Sequence, residues 1–269
     1  MTNADIAAAL NLMGALFRLD PVDPTLQPVL AGFAHGDFAA DWPCPGEGVG
    51  PAFDAMAPLA ADSAEARAAL HAAFRDLFVG PAALPAPPWG SVYLDQEKVL
   101  FGTSTFSLNA FLDRNAITFR DPDNGPKDHF GTLCWIAAWL ASKDRMDVFD
   151  ELMSEHVLPW AFLYLDELKT AALAMAPDNH AAVFYAAAAH LASTMLAAIK
   201  AERSLEITEK KLYPGHAGAS SVVDRIENVT PEDLAAEQQN PCDERQREAG
   251  RLTGPDHPPD RAEQRRRTS

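Results

Sequence analysis

Apolar positions recur with a helical period through the first 213 residues. Ile6, Leu10, Met13 and Phe17 are spaced 4, 3 and 4 apart, the stripe of a helix that buries one face. Asp23-Pro24 opens a second helix by the rule of a cap followed by proline, with Leu26, Val29, Leu30 and Phe33 inside it. Residues 41–51 read as a Pro/Gly-rich loop. A third helix is predicted over 63–78, capped by Ser63 and carrying Leu70, Phe74, Leu77 and Phe78, and a shorter one over 103–114. Phe130, Leu133, Ala137 and Leu140 mark the next, and residues 146–170 are helical with a break at Pro159. The last helix is predicted over 178–203. Only residues 92–94 and 99–101 suggest extended backbone. The pattern is that of an all-α, single-domain bundle of about eight or nine helices.

Two segments interrupt this period. Between Phe78 and Thr103 the chain reads Val79-Gly80-Pro81-Ala82-Ala83-Leu84-Pro85-Ala86-Pro87-Pro88-Trp89-Gly90-Ser91-Val92-Tyr93-Leu94-Asp95, with four prolines in residues 80–89. Such a run is polyproline II or turn, not helix. Its Leu84, Trp89, Val92, Tyr93 and Leu94 call for burial, so the loop is expected to be ordered. An ordered loop holding Trp89 and Tyr93 near the surface is a peptide-docking platform, while a Trp89 packed downward is a core plug; the sequence leaves both open. The second segment, residues 121–130, reads Asp-Pro-Asp-Asn-Gly-Pro-Lys-Asp-His-Phe and is turn chemistry feeding a helix. Asp128 and His129 fall at that helix start, where an aspartate is favoured by free N–H groups.

Aromatic residues divide the chain. All 23 Phe, Tyr and Trp lie at or before Tyr213. The remainder is rich in Glu, Arg, Gln, Asp and Pro and carries Arg265-Arg266-Arg267 near its end. Residues 1–213 are therefore read as the globular domain and 214–269 as a disordered, charged tail, with one short helix possible at Thr230-Pro231-Glu232-Asp233. The net charge of −16 divides into −13 for the domain and −3 for the tail. This balance argues against phosphate-backbone binding, so no nucleic-acid partner is expected, and it suits a cationic partner.

Three separated cysteines, Cys44, Cys134 and Cys242, form no disulfide framework. The first basic residue is Arg18, which leaves no basic stretch for a secretory signal. Residues 181–199 include His190, Ser193 and Thr194 and read as a buried helix, not a membrane span. A cytoplasmic protein is expected. Enzyme signatures are lacking. There is no phosphate-binding Gly-rich loop, and Gly102-Thr-Ser104-Thr-Phe is half of a nucleophile elbow without its second glycine. None of the eight histidines belongs to a His-Glu-x-x-His pair, and no metal or cofactor is expected.

The irregular segments carry a resemblance. Leu77-Phe78-Val79-Gly80-Pro81, Pro87-Pro88-Trp89-Gly90-Ser91-Val92-Tyr93-Leu94-Asp95, Val99-Leu100-Phe101-Gly102, Pro126-x-Asp128-His129-Phe130-Gly131 and Leu158-Pro159-Trp160 resemble the TorD/DmsD family of redox-enzyme maturation chaperones, the DmsD branch most. The resemblance spans residues 1–213 and implies an all-helical, non-enzymatic protein. Such a protein binds the twin-arginine (Tat) signal peptide of a molybdenum-cofactor oxidoreductase of the DMSO/TMAO reductase type and holds the precursor until its cofactor is inserted. Tat translocase components are a further candidate partner, and monomers and domain-swapped dimers both occur in the wider family. Carried over by motif, the signal-peptide-binding residues are Leu77, Phe78, Pro88, Trp89, Tyr93, Pro126, Asp128 and His129, with Phe74 at another aromatic position of the set. Ala82 and Asn11 stand where close relatives carry Trp and Arg. Acidic groups, with Asp128, Asp95 and the domain charge foremost, are expected to steer the arginines. Two other readings remain open: a nucleotide-linked or molybdopterin-handling maturation factor, and an interaction scaffold with another client.

Overall fold

Thr2 and Asp5 start the first helix with reciprocal bonds: Asp5 N–H donates to Thr2 Oγ1, and Thr2 N–H to the Asp5 carboxylate. This capping box satisfies two of the donors that every helix start leaves free. The helix it opens, α1 (Asn3–Arg18), buries Ile6, Leu10, Met13 and Phe17, the residues whose spacing predicts it. The computed structural model describes residues 1–97, 102–119 and 125–213. The expectations for residues 99–101, 121–124 and the tail lie outside these.

All described elements are helical. They are α2 (Gln27–His35), α3 (Asp37–Asp41), α4 (Val49–Leu59), α5 (Ala64–Phe74), α6 (Gly90–Leu94), α7 (Thr103–Arg114), α8 (Phe130–Ser142), α9 (Met146–Leu152), α10 (Leu158–Met175) and α11 (Ala182–Glu202). The described helices outnumber the eight or nine expected because α3 and α6 are five-residue pieces and α4 lies where the sequence reading placed none. Gly48, Pro51 and Pro58 make α4 look like loop. Pro51 sits in its first turn, where a missing N–H is tolerated, and Pro58 lies inside the helix next to its end, where it removes one bond of the last turn. The second helix begins at Gln27, later than expected, because Asp23 folds back on Thr25 in a local turn.

Two helices run into π turns. Arg75–Val79 continues α5, and Met153–Val157 joins α9 to α10. The second stands where Pro159 is expected to break the helix. Pro159 has no N–H to offer the carbonyls four and five residues earlier, those of Glu155 and Ser154. Residues 204–213 supply the missing donors: Thr208 N–H reaches Ser154 O (3.1 Å) and Lys210 Nζ reaches Glu155 O (2.5 Å). The same strap then donates Tyr213 N–H to Tyr93 O of α6 (2.9 Å).

The core is built from α1 against α8, and from α11 against α10 and α4. Helix α11 is long and apolar enough to cross a membrane, yet Phe184, Tyr185, Leu191, Met195, Leu196 and Ile199 are all buried within the protein. Glycine lets α1 and α8 approach. A Cβ on Gly14 would lie 2.3 Å from Trp135 Cδ1. Gly14→Ala would displace the indole from its bond to Asn11 O and its stack on Phe119. A loss of about 1–2 kcal/mol is expected, read as a lower urea midpoint; a midpoint equal to wild type would show that Trp135 swings aside freely.

Candidate functional site

The two irregular segments are neighbours. After the π turn, Gly80 adopts φ +96°, a conformation that favours glycine, and turns the chain into the Pro-rich run. Leu84, Ala86, Pro87 and Pro88 are buried beneath it. Three residues of this run then pair with the second segment. Phe130 N–H donates to Pro88 O (2.7 Å) and Gly90 N–H to Asp128 O (3.1 Å), so that Trp89 and His129 form a single antiparallel pair. The Trp89 and His129 rings meet edge to face at 5.6 Å.

Asp128 completes this junction with its side chain. Its Oδ2 accepts the Ser91 N–H at 2.7 Å, capping α6, while Oδ1 has no partner among the described residues. Asp95, at the other end of α6, accepts from both N–H and Oγ of Ser104 (3.1 and 2.7 Å) and so starts α7. A Cβ on Gly102 would come within 2.2 Å of Asp95 Oδ2. Burial pushes the Asp128 carboxyl above its usual pKa, and the nearby Asp95 charge acts in the same direction.

Several expectations change here. Asp128 does not cap the helix it precedes. That role falls to His129, whose Nδ1 accepts the Gly131 N–H at 3.1 Å. Asp128 and Asp95 are 4% and 8% exposed; both already cap helices inside the protein, so neither offers a surface carboxylate to steer arginine. Residues 92–94 are helix, not extended. Ser104, considered as a nucleophile, is the second residue of α7 and bonds the Asp95 cap. Among the described residues no three His, Cys, Asp or Glu side chains gather as a metal site.

Tyr93 is 0% exposed and does not line a surface. It stacks on Trp160 (5.5 Å, 21° between planes), and Trp160 Nε1 donates to His156 O (2.8 Å). Trp160 lies so close under Gly90 that a Cβ there would meet it at 2.9 Å. Phe74 and Phe78 pack on each other and on Tyr185, and Phe78 also meets Phe17 edge to face. Leu77, Pro88 and Pro126 are buried too. The nine candidates therefore divide. Trp89 alone is partly exposed, while the other eight are buried. Along the same stretch of chain Val79, 54% accessible, Ala82 and Pro85 are exposed.

The sequence reading missed two features. The strap of residues 204–213 ties α6 to the second π turn; Leu205 and Ile207, two apart and both at least partly buried, are its only signal. An apolar cleft of about 430 Å³ is lined by Ile117, Phe119, Trp135 and Trp139. The spacing of Trp135 and Trp139 by four on one helix face could have revealed it.

A family model described as nitrate reductase delta subunit matches residues 44–166. The Tat proofreading chaperone DmsD of Salmonella typhimurium is 37% identical over 210 residues, covering 78% of this chain and 96% of that protein. The Salmonella typhi protein of the same name is 36% identical over the same length. A probable Tat proofreading chaperone DmsD of Haemophilus influenzae is 34% identical over 161 residues, 59% of this chain and 75% of that one. The aligned stretch is long enough to hold both segments that meet at Trp89 and His129, and on this similarity the chain belongs to the TorD/DmsD family.

Proposed function

We propose that this protein is a cytoplasmic chaperone for the Tat signal peptide of a molybdenum-cofactor oxidoreductase precursor of the DMSO/TMAO reductase type. It holds the peptide until the cofactor is in place, and it does so by binding, without catalysing a reaction. Residues 1–213 are the chaperone domain and 214–269 a charged tail. The observation that carries this reading is the junction of the two motif-bearing segments: reciprocal backbone bonds fix a partly exposed Trp89 beside His129. A fixed, partly exposed indole gives large contact area at little entropic cost. The remaining candidates, Phe74, Leu77, Phe78, Pro88, Tyr93, Pro126, Asp128 and His129, shape the support beneath it. Relatives are named Tat proofreading chaperones, and a domain charge of −13 attracts a twin-arginine segment.

Calorimetric titration with twin-arginine signal peptides tests this reading. Wild-type protein is expected to bind, with affinity falling as salt rises. Trp89→Ala is expected to weaken binding by about 2 kcal/mol, roughly thirtyfold, with a melting temperature within a few degrees of wild type. Absence of binding by the wild type would end the reading. Unchanged affinity combined with a large fall in stability would make Trp89 a packing residue only.

A further inference from the structure

The same junction assigns a different task to Asp128 than arginine recognition. Resting on the peptide-binding reading, we propose that Asp128 is a positioning residue: its carboxylate caps α6 from the second segment and so holds Trp89 against His129. Backbone and side-chain bonds join residues 88–91 to residues 128–130. Two are backbone bonds, Phe130 N–H to Pro88 O and Gly90 N–H to Asp128 O. A further bond, Ser91 N–H to Asp128 Oδ2, is one that a side chain controls. Ser91 is 0% exposed, so its N–H, deprived of this acceptor, would be left unsatisfied where water does not reach. Trp89 is the residue immediately before α6, and its backbone leaves in the extended conformation that the cap requires. Losing the cap therefore frees the residue that carries the exposed indole.

Direct contact with a guanidinium is disfavoured by the same geometry. An arginine seeks both oxygens of an accessible carboxylate. Asp128 is 4% exposed, and one oxygen is already committed to Ser91. The two roles predict opposite behaviour for asparagine. An amide oxygen caps a helix about as well as a carboxylate, but it carries no charge for an arginine.

The experiment compares Asp128→Asn with Asp128→Ala in the full chain. Affinity is measured by calorimetry for a twin-arginine signal peptide. The Trp89 emission is read as the difference between each protein and its Trp89→Phe counterpart, without peptide. A positioning role predicts that Asp128→Ala weakens binding about tenfold and red-shifts the Trp89 emission, whereas Asp128→Asn stays within about threefold and leaves the emission unmoved. If asparagine loses as much affinity as alanine while Trp89 emission is unchanged, the carboxylate charge itself contacts the peptide and the inference is wrong. Should the alanine variant not fold, Asp128→Asn decides alone: near-wild-type affinity supports positioning, and a loss above tenfold with an intact melt refutes it. The emission arm needs no peptide. Failure of the wild type to bind would therefore sink the functional reading, while an unmoved Trp89 signal in folded Asp128→Ala would sink this one.

Discussion

Replacing Trp160 by alanine is expected to cost about 3–5 kcal/mol of stability, a large part of the 5–15 kcal/mol that holds a typical domain folded. The indole is 1% exposed. It stacks on Tyr93, meets Phe130 edge to face and packs against Tyr164. Its removal opens a void under Gly90, whose lack of a side chain is what lets the indole lie there. It also strips the Nε1–H donor from His156 O at the end of the π turn. Trp160→Phe separates these contributions. Phenylalanine retains much of the stack and loses the hydrogen bond, so about 1–2 kcal/mol is expected. Urea unfolding of the three proteins provides the check. An alanine variant within about 1 kcal/mol of wild type would mean that the aromatic layer repacks, and that α6 does not depend on it.

Because Trp160 supports α6 at Gly90, the residue after Trp89, the alanine variant should also weaken peptide binding through Trp89. The physical path is short. The π turn presents Ser154, Glu155 and His156 carbonyls to Thr208, Lys210 and Trp160 respectively. Trp160 then carries Tyr93 and Gly90, and Tyr93 O receives the end of the strap. Pro159 lies at the origin of the strap's docking, since its missing N–H leaves the Ser154 and Glu155 carbonyls for Thr208 and Lys210.

What could be read from the residues and what could not follows from the range of the interactions involved. Helix α7 was legible at both ends because its apolar residues repeat locally over 103–114. The break at Pro159 was legible because a proline acts on its own helix. Residues 92–94 were misread as extended because Val-Tyr-Leu has strand-like side chains, and the group that makes them helical is Asp128, 37 positions away. The same distance hid the true work of Asp128, which caps across the junction rather than at its own helix. Tyr93 could not be placed from sequence either. An aromatic in a loop suits surface and core alike, and only Trp160, arriving from α10, decides for the core. The motif positions were thus visible, but that Trp89 alone among them is partly exposed and the others are buried was not.

Acidification is expected to weaken the fold through His156, one turn before Trp160. The imidazole is 8% exposed and packs on Phe111 with ring centroids 5.0 Å apart. Burial lowers its pKa from 6.5 to about 4, and the positive charges of Lys210 and Arg114 push the same way. Between these two values the unfolded chain binds a proton that the folded chain refuses, so stability falls as pH drops from about 6.5 toward 4. The full difference is worth about 3 kcal/mol, and none of it is lost above pH 7. Asp128 opposes this trend. Its raised pKa means that the folded state takes up a proton more readily than the unfolded chain, which adds stability as pH falls. A single wild-type curve therefore mixes the two signs, and the comparison with His156→Leu isolates one. Urea midpoints taken at pH 7, 5.5 and 4.5 should fall less steeply in the leucine variant than in wild type. Lys210→Met should give an intermediate slope, because removing that charge lets the His156 pKa recover part of its depression, even as Glu155 O loses its donor. Parallel slopes in wild type and His156→Leu would show that the imidazole takes up its proton as readily inside the fold as in the unfolded chain, and that burial does not depress its pKa.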